Sequence, residues 1–130
     1  PQNAVRGPIV MVTNQWAGSD GDIVSAATQT MGYAKVIGER SWGGVIGIDG
    51  RFDLVDGTGV TQPRYAGWYG NYGWGVENHG VDPDIVVTVS PEDWESEKDV
   101  QLDAAIAECL RQLDEKPAST PPEFPGPVFG

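Results

Sequence analysis

Residues 7–38 read GPIVMVTNQWAGSDGDIVSAATQTMGYAKVIG, and this stretch decides the fold. The apolar, β-branched run in residues 7–12 predicts a strand that is buried on both faces and ends near Thr13. The spacing after it predicts a helix from Ser19 to Met31, and residues 35–38 predict a second short strand. The apolar face of this helix comprises Ile23, Val24, Ala27 and Met31. Two strands joined by a helix form a βαβ unit with a right-handed crossover, so the expected class is α/β.

The rest of the chain predicts a glycine-rich middle, a further strand and a long helix. Residues 42–83 indicate short strands joined by turns, because glycine, aspartate and aromatic residues dominate them. Residues 84–89 predict a strand, and Ser90 followed by Pro91 marks a helix start. Residues 99–116 predict an amphipathic helix whose apolar face docks on the sheet. That face comprises Leu102, Ala105, Ile106, Cys109, Leu110 and Leu113.

The length of 130 residues fits one domain with its own core. We divide the chain into a linker at residues 1–6, a core at residues 7–116 and a proline-rich, extended tail at residues 117–130. The chain begins with Pro1 and a polar stretch, so we expect residues 1–6 to continue from an upstream segment of a longer protein.

Charge and composition exclude several classes of function. The chain carries 8 basic and 19 acidic residues, for a net charge of −11, which disfavours binding to the phosphates of nucleic acid. It contains no apolar run long enough to span a bilayer. A single cysteine, Cys109, forms no internal disulfide and is compatible with a reducing compartment. Asp49, Asp53 and Asp56 lack the ligand spacing of a calcium loop, so we expect neither a metal nor a cofactor.

Ser19 is the candidate for chemistry. It follows a strand and a loop and opens a helix, where free backbone N–H groups and the helix dipole can stabilise the oxyanion of an acyl transfer. Gly18 before it lets a substrate backbone approach closely. These features also fit an ordinary serine that caps a helix, so the local sequence leaves both interpretations open.

Four blocks of sequence occur in the order found in the tricorn-type serine peptidases. They are residues 15–22 (QWAGSDGD), 35–44 (KVIGERSWGG), 74–84 (WGVENHGVDPD) and 99–105 (DVQLDAA). Ser41 stands where the family pattern has threonine. Because the resemblance covers most of the chain, from about residue 7 to about residue 113, it implies a relative of these peptidases, within the wider tail-specific, or carboxy-terminal processing, group.

The resemblance implies a fold and a set of site residues. The fold is an α/β core of the ββα type, related to the crotonases and Clp proteases, with an amphipathic helix at its C-terminal end. In the family's Ser-His-Ser-Glu tetrad, Ser19 matches the nucleophile and Glu77 the glutamate, and the backbone amide of Asp20 matches an oxyanion donor. The histidine and the other serine belong to a preceding segment, so the isolated chain should be nearly inactive. Substrate contacts are expected at Gly18, Arg40, Trp42, Gly43 and Gly44.

The sequence leaves several alternatives open. His79 could form a self-contained triad with Ser19 and Glu77, but it lies in an Asn-His-Gly turn at a variable position of the family pattern. Arg40 and Trp42 could line a cleft or only brace their loop. The same holds for the aromatic residues between positions 65 and 74, which could pave a peptide groove or pack the domain.

The resemblance also implies partners and a setting. Tricorn-like relatives are large cytoplasmic oligomers that trim peptides, so we expect peptide substrates, the upstream segment and further copies of the chain as partners. Non-catalytic relatives with the same fold carry ligands, which makes a ligand-binding module the alternative function.

Overall fold

The computed structural model describes residues 4–123 and 125–128. The remaining positions of the predicted linker and tail lie outside the described residues. The described part contains five strands and three helices in chain order: β1 (Val10–Thr13), α1 (Asp20–Met31), β2 (Lys35–Gly38), β3 (Gly47–Asp49), β4 (Gln62–Tyr65), β5 (Ile85–Val86), α2 (Pro91–Glu95) and α3 (Val100–Glu115).

The strands form two small sheets. One is parallel, with the order β1-β2-β5, and the other is the antiparallel pair β3-β4. In the parallel sheet Val12 lies beside Ile37, and Ile37 lies beside Ile85. The predicted βαβ unit is therefore present, and the α/β class is confirmed. The strand predicted at residues 84–89 is shorter, since only Ile85 and Val86 pair with β2.

Strand β2 lies at the centre of the fold and is covered on both faces. Val36 and Ile37 are both fully buried, and adjacent strand residues point to opposite faces. The hydroxyl of Thr28 on α1 contacts the sulfur of Met11 at 3.4 Å, which places α1 on the face that Met11 shares with Val36. Helix α3 packs against β1 and β2 and so covers the opposite face.

The prediction that the first strand is buried on both faces is wrong. Within the described residues β1 has a neighbouring strand on one side only, and the side chain of Val12 is 42% exposed. The strand also begins at Val10 rather than Gly7. An apolar, β-branched run has the composition of a central strand, but its place in the sheet depends on which strands lie beside it.

The face that α1 turns inward also differs from the prediction. Val24 and Met31 are exposed, although both belong to the predicted apolar face. The side chains buried instead are Asp22, Ser25, Ala26 and Thr28. Three of these four are polar, and each has a hydrogen-bond partner, so their burial is compatible with a stable fold.

Helix α3 does not dock on the sheet through its whole apolar stripe. Gln101 and Ala105 are its buried residues, and the amide of Gln101 donates to the carbonyl of Val87 at 2.9 Å. Cys109 is half-buried. The larger apolar side chains stay exposed at Leu102, Ile106, Leu110 and Leu113. The prediction of an apolar stripe was correct, but the prediction that the whole stripe docks on the sheet was wrong.

No helix within the described residues is long and apolar enough to cross a lipid bilayer. The two ends of the described chain meet, since the amide of Ser119 donates to the carbonyl of Arg6 at 3.1 Å. The predicted tail therefore contacts the stretch predicted as linker.

Candidate active site

Ser19 occupies the N-cap position of α1 without capping the helix. Its backbone has φ 51° and ψ −109°, and its side chain makes no capping hydrogen bond. A positive φ at a residue other than glycine costs about 1–3 kcal/mol and persists only where the surrounding structure imposes it. The residue is exposed. Its hydroxyl is therefore held at the surface by a strained backbone and is not committed to the helix end.

Ser90 provides a contrast within the same molecule. It precedes α2 with an ordinary extended backbone, and its hydroxyl oxygen accepts from the amide of Asp93 at 3.1 Å. The carboxylate of Asp93 accepts from the amide of Ser90 in return, at 3.1 Å, which completes a capping box. Two serines thus begin two helices, and only Ser90 serves as a cap.

The start of α1 offers a site for an oxyanion beside Ser19. The first amides of a helix have no partner within the helix, and the amide of Asp20 has no acceptor among the described residues. The loop before it is closed by a 2.9 Å bond from the amide of Gly21 to the carbonyl of Gly18. The positive end of the helix dipole favours negative charge at this place.

Trp42 packs against the loop that carries Ser19. Its amide donates to the carbonyl of Ala17 at 3.0 Å, and a Cβ added to Gly18 would stand 2.6 Å from ring atom Cε3. A Cβ on Gly44 would overlap the same ring. The ring is nonetheless 66% exposed. A side chain at Gly18 or Gly44 would therefore require the Trp42 ring to move, next to the nucleophile candidate.

Asp22 is the fully buried carboxylate of this region. One oxygen, Oδ1, accepts from the hydroxyl of Ser41 at 2.5 Å and from the amide of Gly43 at 2.9 Å. The other, Oδ2, accepts from the amide of Gly44 at 3.1 Å. Ser41 in turn accepts from the amide of Val81 at 2.8 Å. A buried carboxylate needs such donors to offset its lost hydration.

Glu77 lies in the turn that follows the aromatic segment, and it is half-buried. Its Oε2 accepts from the amides of Val45 and Ile46, at 2.7 and 2.8 Å. Its Oε1 receives no hydrogen bond from the described residues. The carboxylate is therefore anchored through one oxygen and keeps the other available. This geometry fits a group that orients a histidine.

His79 does not complete a triad with Ser19 and Glu77. Its Nε2 is engaged with the carboxylate of Asp82 at 2.7 Å, at an exposed site. Its carbonyl oxygen accepts a hydrogen bond from the guanidinium of Arg40. Arg40 therefore braces this turn, which is one of the two roles that the sequence left open for it.

The loop at residues 41–44 packs backbone against backbone on the turn of Glu77. Gly43 has φ 91°, and a Cβ there would stand 2.5 Å from the amide nitrogen of Gly80. The carbonyl of Gly43 also accepts from the amide of Asn78 at 2.8 Å. Below these loops lies a small apolar cluster formed by Ala26, Val45, Val76 and Val81.

The aromatic segment divides between the two predicted roles. Tyr69 and Tyr72 pack against the apolar cluster, whereas Tyr65, Trp68 and Trp74 are exposed. Burial raises the pKa of the Tyr69 hydroxyl, and the charge of Asp22 raises it further. The exposed aromatic rings remain available for contacts with a ligand or with another surface.

Asp49 and Asp56 of the acidic loop have partners within the protein. Asp49 forms an ion pair with Arg64 at 3.2 Å, and Asp56 accepts from the amide of Thr58 at 2.9 Å. Within the described residues, no group of three or more His, Cys, Asp or Glu side chains is arranged to hold a metal ion.

The structure places Ser19, Gly18 and Trp42 together, and it joins Glu77 to the loop that contains Gly43 and Gly44. Sequence reasoning missed Asp22, because an acidic residue in the first helical turn is also what the helix dipole favours at an exposed position. It also missed the amides of residues 45 and 46, since backbone donors leave no signal in the side-chain pattern.

Comparisons with a family profile and with individual proteins indicate the same family of peptidases. The sequence profile of peptidase family S41 matches residues 1–87. The chain is 59% identical over 125 residues to tricorn protease homolog 1 of Streptomyces coelicolor, which covers 96% of this chain and 12% of that protein. It is 50% identical over 113 residues to the tricorn protease of Thermoplasma acidophilum, covering 87% of this chain and 11% of that protein. The chain thus spans only about an eighth or less of the length of these relatives.

Solved structures agree with the sequence comparisons. The crystal structure of the tricorn protease superposes on this chain with a TM-score of 0.82 and 49% identity. The aligned region comprises 88% of this chain and 11% of the tricorn protease chain. Mature CPAF superposes with a TM-score of 0.66 at 19% identity, covering 88% of this chain and 22% of that one. The second likeness concerns the fold alone.

Proposed function

The chain belongs to peptidase family S41, and from this premise we propose that it carries the nucleophile of a serine peptidase that hydrolyses peptides. The Oγ of Ser19 attacks the scissile carbonyl as its proton passes to a base, and the C–N bond then breaks to release the protonated amine product and leave an acyl-enzyme. Water hydrolyses this ester, which frees the acid product and regenerates Ser19. The chain resembles tricorn proteases over most of its length, which supports this choice of reaction.

The observation that carries the proposal is the state of Ser19. Its hydroxyl is exposed, free of a capping bond and held by a strained backbone, while Ser90 caps α2 in the ordinary way. Strain of this kind clusters at functional sites. The free amide of Asp20 lies next along the chain, where a donor would stabilise the tetrahedral oxyanion.

Glu77 orients a catalytic histidine in this mechanism. A serine hydroxyl needs an adjacent base to become nucleophilic. His79 is engaged with Asp82, so the base comes from a segment outside these 130 residues, together with the second serine of the family tetrad. Glu77 is fixed through Oε2 and would use Oε1 to hold the imidazole and to stabilise its charged form.

The proposal extends to the wider arrangement of the protein. Residues 7–116 form the nucleophile-bearing core of a ββα, crotonase- or Clp-like fold, between a linker at residues 1–6 and a tail at residues 117–130. The complete peptidase is a cytoplasmic homo-oligomer. The small share of the relatives' length that this chain covers is consistent with a longer full-length peptidase.

The direct test is covalent labelling of the complete peptidase with a fluorophosphonate probe. We expect modification of Ser19, and we expect Ser19→Ala to abolish both labelling and peptide hydrolysis. Ser90→Ala is the matched control, because it removes the other serine at a helix start and should leave labelling unchanged. Full hydrolysis by the Ser19→Ala protein, with no label on Ser19 in the parent, would refute the proposal.

A further inference from the structure

Four consecutive backbone amides are divided between two carboxylates. The amides of Gly43 and Gly44 donate to Asp22, and the amides of Val45 and Ile46 donate to Glu77. All four distances lie between 2.7 and 3.1 Å. The loop at residues 43–46 therefore bridges the two acidic side chains through adjacent peptide units, which are rigid planes.

Each end of this bridge is fixed to a different part of the proposed site. Asp22 lies in the first turn of α1, three positions after Ser19, and the amide of Ile23 donates to the carbonyl of Ser19 at 2.9 Å. Glu77 lies in a turn that is far from Ser19 in sequence. The bridge thus links the nucleophile's helix to the carboxylate that orients the base.

The bridge is also protected from water at its Asp22 end. Asp22 is fully buried, and Ser41, its third donor, is 1% exposed. Hydrogen bonds to a charged group are stronger than those between neutral groups, and more so where the local dielectric is low. A link of this kind holds its geometry better than an exposed one.

We propose that Asp22 is a positioning residue, which fixes the carboxylate of Glu77 relative to Ser19 through the loop at residues 43–46. This inference rests on the proposed function, because it gives Glu77 the task of holding the catalytic histidine. Asp22 is fully buried, so it acts on the reaction only through Glu77. Its loss lets the loop shift, so that Glu77 no longer stabilises the imidazolium in the correct place.

The test is a double-mutant cycle in the complete peptidase with Asp22→Asn and Glu77→Gln. We expect Asp22→Asn to lower kcat by about tenfold or more with KM within about twofold, since the loss falls on the transition state. In the Glu77→Gln background, Asp22→Asn should cost less than about twofold, because residues that act through one another are not additive. A purely structural role would give costs that multiply.

The pH profile supplies a readout that a structural role would not move. A well-placed carboxylate raises the pKa of the histidine. Asp22→Asn should therefore move the acid limb of the kcat/KM profile to lower pH, in the same direction as Glu77→Gln. Asp84→Asn is the matched control, since the carboxylate of Asp84 also accepts a hydrogen bond from a backbone amide. Its donor is Val36, near the start of β2, at 2.8 Å. This variant should leave the acid limb in place.

The outcomes separate this inference from the proposed function. If Ser19 is labelled in the parent protein but the cycle is multiplicative and the acid limb stays fixed, the role of Asp22 is refuted and the peptidase assignment stands. If Ser19 is not labelled, both fail. Should Asp22→Asn not fold, Ser41→Ala removes one donor of the same carboxylate and must show the same non-additivity and pH shift.

Discussion

The aromatic ring of Trp42 lies against the backbone of Gly18, so that a side-chain carbon at position 18 would stand 2.6 Å from the ring. Real Cβ atoms do not approach other atoms this closely, and one of the two groups would have to move. The backbone amide of Trp42 also donates a hydrogen bond to the carbonyl of Ala17. A displacement of Trp42 would therefore reach the loop that carries Ser19.

We therefore expect Gly18→Ala to slow fluorophosphonate labelling of Ser19 by about ten- to a hundredfold, the scale of a displacement near 1 Å. Adding Trp42→Ala should restore most of the rate, because it removes the overlapping ring. Gly7→Ala is the control, since its Cβ would make an ordinary contact at 3.6 Å with Ala118. A double variant that stays as slow as Gly18→Ala would contradict this explanation.

We expect Gly43→Ala to destabilise the fold. Both Gly43 and Gly57 have positive φ, at 91° and 82°, but a Cβ on Gly57 meets no atom within 4 Å. Alanine at either position costs about 1–2 kcal/mol of backbone strain, and at Gly43 it also overlaps backbone atoms, which adds about 1–3 kcal/mol. In urea denaturation, Gly43→Ala should unfold at a lower midpoint concentration than Gly57→Ala. Equal midpoints would show that the loop yields freely.

Adjacent positions of α3 should respond in opposite ways to a polar side chain. Ala105 is 5% exposed and Ile106 is 50% exposed. Ala105→Gln overfills the contact with the sheet and should cost about 1–3 kcal/mol, whereas Ile106→Gln should change stability by about 0.5 kcal/mol or less. Thermal denaturation of both variants measures this difference. The reverse ranking would mean that the helix docks through its larger apolar residues after all.

The ion pair between Glu108 and Arg111 predicts a pH dependence. Hydrogen bonds from Arg111 and then from Gln112 lower the pKa of Glu108 from 4.5 to about 2, and the bond to Glu108 raises the pKa of Arg111. A lowered carboxyl pKa adds stability above the unfolded value and loses it as the pH falls through the folded value.

The stability difference between the parent chain and Arg111→Gln should therefore be present at neutral pH and should shrink between about pH 4.5 and pH 2. Arg51→Gln is the control, because Arg51 forms no ion pair among the described residues. Its difference from the parent should not vary over this range. We expect a small effect, since Arg111 is half exposed and solvent screens such pairs.

Local sequence chemistry was sufficient for the secondary structure near the site. The β-branched run before Asn14 and the spacing after Ser19 predicted β1 and α1, and Lys35–Gly38 forms β2 as predicted. The capping signal at Ser90 was also correct. These features depend on neighbouring residues along the chain, so a single sequence contains what determines them.

The sequence by itself thus determined the α/β class, the helix that follows Ser19 and, through its four motif blocks, the family. Only the tertiary structure decided that Ser19 is strained and uncapped, that Asp22 faces inward and that the leucines of α3 face outward. The reason is physical. Periodicity specifies that a helix has two faces, but which face is buried depends on donors and surfaces from distant segments, such as the amides of residues 43–46 that meet Asp22 and Glu77.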